Sequence, residues 1–113
     1  MERKIGIYGN YFEDFYIEQS QKVRDKIDYV LDIVKHVDQV PVKFFKHIEG
    51  TNGLYEIRIK TTYKNIRIFC FFDQDNIVIL TNCIEKKSQK TPRETLDLAN
   101  KLKEEYFKLK SKR

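Results

Sequence analysis

LYEIRIKTTYKNIRIFCFFDQDNIVILTNCI, residues 54–84, decides the fold of this chain. It holds three runs rich in β-branched and aromatic residues: Leu54–Lys60, Asn65–Phe72 and Asn76–Ile84. The links Thr61–Lys64 and Asp73–Asp75 are too short for a crossover, so the runs form an antiparallel meander. A first turn at Thr62-Tyr63 pairs residues whose numbers sum to 125. A second at Gln74-Asp75 gives 149. One face then carries Tyr55, Ile57, Ile59, Ile66, Ile68, Cys70, Phe72, Ile77, Ile79 and Cys83, apolar enough to pack on helices. The other carries Glu56, Arg58, Arg67, Phe69, Phe71, Val78, Leu80 and Asn82. Here Arg58 faces Arg67 across the ladder, with Asn82 beside Arg67. Two like charges so opposed are destabilising, and either Glu56 or a bound anion must neutralise them. The same register sets Cys70 opposite Ile79, about 13 Å from Cys83. That exceeds the roughly 7 Å a disulfide allows, so both thiols are read as inert core.

Outward from the meander the chain turns helical at both ends. Lys4–Tyr8 reads as a short strand and Asn10 as a helix cap. Residues 11–37 show apolar spacing near 3.6, with either a break at Ser20 that makes a hairpin of two helices or a single bent helix. Pro41 ends this region, residues 43–48 form a further strand, and Gly50–Gly53 a turn. After the meander comes EKKSQKTPRE (85–94), a cationic loop. Thr91, Pro92 and Glu94 read as a capping box that starts a helix over 91–110. Leu98, Ala99, Leu102, Tyr106 and Leu109 mark its buried face, and Lys110–Arg113 a frayed tail. The expectation is one α+β domain over residues 1–113: an N-terminal helical hairpin on an antiparallel β-meander, with a C-terminal helix.

The 113 residues carry a net charge of +5, unevenly spread. Residues 1–40 hold six basic against eight acidic side chains, while 43–67 hold six against two. Such a gradient suits RNA, DNA or an acidic protein. No apolar run reaches the 18 or so residues of a membrane span, and the start Met1-Glu2-Arg3-Lys4 has no signal-peptide core. A cytoplasmic protein is the expectation. The sequence shows no Cys/His metal spacing and no glycine-rich phosphate loop, so no metal and no cofactor are called for.

Three segments in this order, FKHIEGTNGLYEIRI (45–59), NIRIFCFF (65–72) and IVILTNCIEKKSQKTPRE (77–94), resemble the RelE/HigB superfamily of toxins, and within it the HigB-like, phage-derived branch. The resemblance spans about residues 43–106. It implies a RelE-like fold, ribosome-dependent cleavage of mRNA and neutralisation by a cognate helix-turn-helix antitoxin. It carries over Lys46, Arg58, Arg67, Lys86, Lys87 and Lys90 as site residues. Other branches place a tyrosine or histidine just after the basic run, where this chain has Thr91-Pro92-Arg93.

Metal-free cleavage requires the 2′-OH to attack its own 3′-phosphate. Arg58 and Arg67 suit the phosphate charge, being permanently ionised and forked. One of the neighbouring Lys86, Lys87 and Lys90 can act as base if its pKa falls, with Lys46 or His47 as further candidates. Tyr63 at a hairpin tip, Lys46, His47 and Arg93 are the expected RNA contacts. Phe69, Phe71 and Tyr55 either stack on bases or pack in the core. The basic C-terminal helix either grips ribosomal RNA or is a solvated face. The competing classes are a non-enzymatic ParE-like toxin that inhibits DNA gyrase, and an inactive relative that only binds its antitoxin.

Overall fold

The computed structural model describes residues 2–112; Met1 and Arg113, the last residue of the expected frayed tail, lie outside the described residues. The elements run β1 (Lys4–Ile7), α1 (Tyr11–Ile17), α2 (Gln21–His36), β2 (Phe45–His47), β3 (Leu54–Lys60), β4 (Asn65–Asp73), β5 (Ile77–Glu85) and α3 (Arg93–Ser111). The α+β expectation holds. The sheet order is β1-β5-β4-β3-β2. β2 to β5 are antiparallel neighbours, whereas β1 adds to β5 in parallel, an edge the meander alone does not contain.

Ser20 does break the N-terminal helix. Its backbone is extended, and its Oγ accepts a hydrogen bond from Val23 N at 3.3 Å, so α2 starts afresh with a capped end. Asn10 stands at the α1 cap position, but its side chain makes no capping bond. The capping box expected at Thr91 does not form. Pro92 takes the N-cap position with ψ 139°, and α3 begins at Arg93. A residue before proline is held extended, so Thr91 lies one residue too early to cap. Pro92 caps through its carbonyl alone, accepting from Thr95 N at 3.1 Å.

Each face of the sheet is covered differently. Against the helical hairpin lie Ile57, Ile59, Ile66, Ile68, Cys70, Val78 and Leu80, meeting Ile27, Val30 and Val34, all fully buried. Against α3 lie Leu54, Phe69, Phe71 and Ile79, closed by Ala99 with Leu96, Tyr106 and Phe107. Phe69 and Phe71 are thus core residues, fully shielded from any base. Tyr55 is on the hairpin face, stacked on Phe45 at 5.1 Å. Leu98 is half-buried, and Leu109, expected inside, is 55% exposed.

The first hairpin keeps the expected register, with Arg58 opposite Arg67. The second does not. Its loop holds three residues, Gln74 to Asn76, with Gln74 at φ 66°, so Asp73 pairs with Ile77 and the sum becomes 150. A one-residue slip inverts the faces, so Val78 and Leu80 point to the hairpin and Ile79 to α3, reversing the expectation for this end of β5. A β-bulge then sets Thr81 and Asn82 against Phe69 alone and restores the original alternation, with Cys83 opposite Ile68. Thr81 Oγ1 donates to Phe69 O at 3.0 Å across that bulge. Cys70 therefore faces Leu80, not Ile79, and lies two residues along β4 from the partner of Cys83. Both cysteines are free, and burial raises the pKa of both thiols.

Candidate functional site

α3 covers only part of its sheet face, and the uncovered part is charged. Strand periodicity puts Glu56 and Arg58 on the same face of β3, and pairing brings Arg67 of β4 opposite Arg58 and Lys46 of β2 opposite Glu56. Glu56 is the counter-ion that two opposed arginines require. Its Oε2 lies 2.9 Å from Arg58 Nε and 3.5 Å from Arg67 Nε. Neither Nε has a hydrogen bond, so the approach is ionic. Glu56 and Arg67 are both 7% exposed. One carboxylate is thus shared by two guanidiniums, and the cluster keeps an excess of positive charge in a place shielded from water.

Asn65 fixes the orientation of Arg67. Its Oδ1 accepts from Arg67 Nη1 at 2.6 Å, and Ile66 O accepts from the same nitrogen at 3.2 Å. Asn65 O also accepts from Lys86 N at 2.6 Å, which ties the start of the basic loop to β4. Arg58, Asn65, Arg67, Lys86, Lys87, Ser88 and Gln89 then line one open cleft of about 470 Å³. The Lys86 ammonium has its pKa lowered, first by burial, then by the positive charges of Arg67, Arg58 and Lys46, with Glu56 opposing. Burial lowers the pKa of Arg67 too, against the pull of Glu56. The arrangement can hold a tetrahedral anion against forked donors, with an amine beside it biased toward its neutral form.

The structure thus gathers Arg58, Arg67, Lys86 and Lys87 in one cleft, with Lys46 adjoining. It does not bring in the remaining candidates. Lys90 is exposed in the loop, its carbonyl accepting from Ser88 Oγ at 3.1 Å. Arg93, at the start of α3, lines a separate groove with Glu49 and Asp97. His47 points to the opposite sheet face, edge-on to Tyr55 at 5.1 Å. Tyr63 is 93% exposed at the β3–β4 tip. Asn82, expected beside Arg67, instead donates through Nδ2 to Thr95 O at 3.1 Å and secures α3; Ile84 takes the place opposite Arg67. The longer loop and the bulge each shift the register by one residue, and together they cause this change. Asn65 is the cleft residue that sequence reasoning missed, although its spacing of two from Arg67 already put both on one face. Among the described residues, no group of three or more His, Cys, Asp or Glu side chains is placed to hold a metal ion, and no helix is long and apolar enough to cross a membrane.

The fold has a solved counterpart. An archaeal RelE–RelB complex from Pyrococcus horikoshii OT3 contains a chain that matches this one with a TM-score of 0.54 at 15% identity, covering 80% of this chain and 100% of that one. At that identity the likeness speaks for the fold. No curated protein matches the sequence. A family model for phage derived protein Gp49-like matches residues 14–104, which takes in most of the hairpin, the meander, the cationic cleft and most of α3. The chain belongs to the phage derived protein Gp49-like family, a RelE/HigB-like toxin family.

Proposed function

We propose that this protein is the toxin of a toxin–antitoxin pair and that it cleaves mRNA on the ribosome without a metal. The observation that carries the proposal is the pair Arg58 and Arg67, opposed across a shielded Glu56 with Lys86 at their side. A fold that only needed stability would gain little from two guanidiniums facing each other. A scissile phosphate entering the cleft supplies the negative charge that one glutamate leaves short.

In the reaction, the neutral amine of Lys86 takes the proton of the 2′-OH. The freed oxygen attacks phosphorus in line, and the P–O5′ bond breaks. The products are a 2′,3′-cyclic phosphate and a 5′-OH, whose proton comes from the charged amine of Lys87 in the same cleft. Arg58 and Arg67 meet the charge that builds on the phosphate oxygens, the contribution that grows in the transition state. Asn65 holds Arg67 in place for it. The expected partners are a cognate helix-turn-helix antitoxin, by analogy with RelE in its complex with RelB, and mRNA with ribosomal RNA at the decoding site.

The test is a translation reaction programmed with a defined mRNA. Wild-type protein is expected to cut the message in the ribosomal A site, and Arg67→Ala to abolish the cuts while keeping the native circular dichroism spectrum. DNA damage without mRNA cleavage would instead identify a gyrase inhibitor, and full cleavage by Arg67→Ala would reject the site.

A further inference from the structure

The cationic cleft does not end at Lys87. It adjoins a second groove of about 440 Å³ that also contains Asn65, Lys86 and Lys87 and continues over Lys60 and Lys64 at the β3–β4 hairpin. That groove in turn shares residues 60–64 with a third, of about 580 Å³, which reaches Lys22 and Lys26 on α2. The three form one track that leaves the arginine pair, rounds the hairpin tip and crosses to the start of α2. Among the described lining residues Glu85 is its only acid, and it lies 3.9 Å from Lys64 Nζ. Lys64 is further held by Gln19 Oε1 at 2.8 Å. Lys22, Lys26 and Lys60 line the far part of the track with no carboxylate beside them in it. Tyr63 lines both outer grooves, yet the residue is 93% exposed. Residues 60–64 reach round the tip without burying an aromatic that a folded core would have used.

We infer that this track is a binding surface for single-stranded RNA, along which the strand runs away from the cleaved phosphate, with Lys22, Lys26 and Lys60 on its backbone phosphates and Tyr63 stacked on a base. A positive groove with an exposed aromatic is how sequence-tolerant single-strand sites are built. Charge complementarity favours this occupant. The track joins directly to the phosphate cleft, and a duplex is too wide to follow a groove that turns round a hairpin tip. The inference rests on the arginine cleft being the cleavage site, and it extends that site to flanking nucleotides.

The experiment is fluorescence anisotropy with an uncleavable 2′-O-methyl oligouridine of about 12 nucleotides, within the usual span of one single-strand site. Wild-type protein is expected to bind, with an affinity that falls as salt rises. The triple variant Lys22→Gln, Lys26→Gln, Lys60→Gln should lose about 2 from the slope of log affinity against log salt, the value for three phosphate contacts on a single strand. Tyr63→Ala should weaken binding about tenfold, and Tyr63→Phe should restore it. An oligomer of about 4 nucleotides, long enough for the arginine cleft alone, should bind wild type and triple variant equally. Wild-type affinity and slope in the triple variant would overturn the inference, as would no binding by wild type at low salt. Equal competition by a duplex of the same length would overturn the single-strand assignment. If the track variants behave as expected but Arg67→Ala still cleaves mRNA, the track stands and the cleavage site is elsewhere.

Discussion

The two faces of this sheet use the same strand alternation to opposite ends. The face under α1 and α2 is apolar along β3, β4 and β5, and its isoleucines are fully buried. The face under α3 is divided. Near the α3 body it holds Leu54, Phe69 and Phe71, and beyond it Glu56, Arg58 and Arg67. The change comes within two residues of each strand, from Leu54 to Glu56 on β3 and from Phe69 to Arg67 on β4. A helix covers the sheet only as far as the apolar residues extend, and the charges begin where cover stops. The first face contributes stability. The second spends part of its area holding an unbalanced positive charge.

The sharpest way to break this contrast is to delete one side chain from each face. Ile68→Ala, in the hairpin-side core, should cost about 2–5 kcal/mol in denaturant unfolding and leave the catalytic rate of the protein that remains folded unchanged. Arg67→Ala should do the reverse, reducing mRNA cleavage about 10²–10³-fold while moving the unfolding midpoint little. If the two variants lose stability and activity in the same proportion, the functional division of the faces is wrong.

Glu56→Gln probes the boundary itself. Removing the shared carboxylate leaves Arg58 and Arg67 facing each other without compensation, which should cost on the order of 3 kcal/mol; Arg58, 27% exposed, holds it at the low end for a broken buried pair. The same change frees both guanidiniums, so inorganic phosphate should bind more tightly and recover part of the lost stability in a thermal melt. A variant as stable as wild type, or one that phosphate does not rescue, would show that Glu56 is not what balances the pair. Lys86→Arg tests the proton transfer. The pKa of Lys86 is lowered, so wild-type cleavage should rise with pH through a value below the ordinary lysine range near 10.4. Arginine cannot lose its proton in that range. The variant should lose the rising limb and about 10²-fold in rate. A pH profile unchanged by the substitution would assign the base to another group.

The boundary was legible in the sequence to the extent that local rules reach. The pairing of Arg58 with Arg67 followed from a four-residue link with a two-residue tip, and so did the need for a counter-charge there, from Glu56 or a bound anion. Ser20 announced its own helix break. The second hairpin escaped because nothing in Asp73-Gln74-Asp75-Asn76 distinguishes a loop of two from one of three; the left-handed residue is Gln74, not a glycine. That single residue turned Val78, Ile79 and Leu80 over. The bulge at Thr81-Asn82 turned the strand back, and the slip and the bulge together removed Asn82 from the arginine site. Pairing of β1 beside β5 is a contact across more than 70 residues, which no local pattern encodes. His47 and Lys46 are adjacent in sequence, yet alternation sends them to opposite faces, so only Lys46 joins the cluster.

The smallest effect belongs to the covered half, where Asp73 ties the end of β4 to α3. It accepts from Tyr106 Oη at 2.5 Å and from Lys110 Nζ at 2.6 Å, and is itself 5% exposed. The Lys110 and Tyr106 hydrogen bonds, in that order, hold its carboxyl below the usual range, against the opposing effect of burial. A depressed carboxylate pKa favours the folded state at any pH above the unfolded value near 3.9, and the benefit fades as pH falls through the lower folded value. Asp73→Asn should therefore cost about 1.5 kcal/mol at neutral pH, one charged hydrogen-bond set with Lys110 partly in water, and nothing once the wild-type carboxylate is protonated. The two unfolding curves should converge in acid. Cleavage should not change, because the tether lies at the end of β4 far from Arg67. Activity lost along with the tether would mean that the docking of α3 sets the geometry of the open half, and the two halves would have to be treated as one unit.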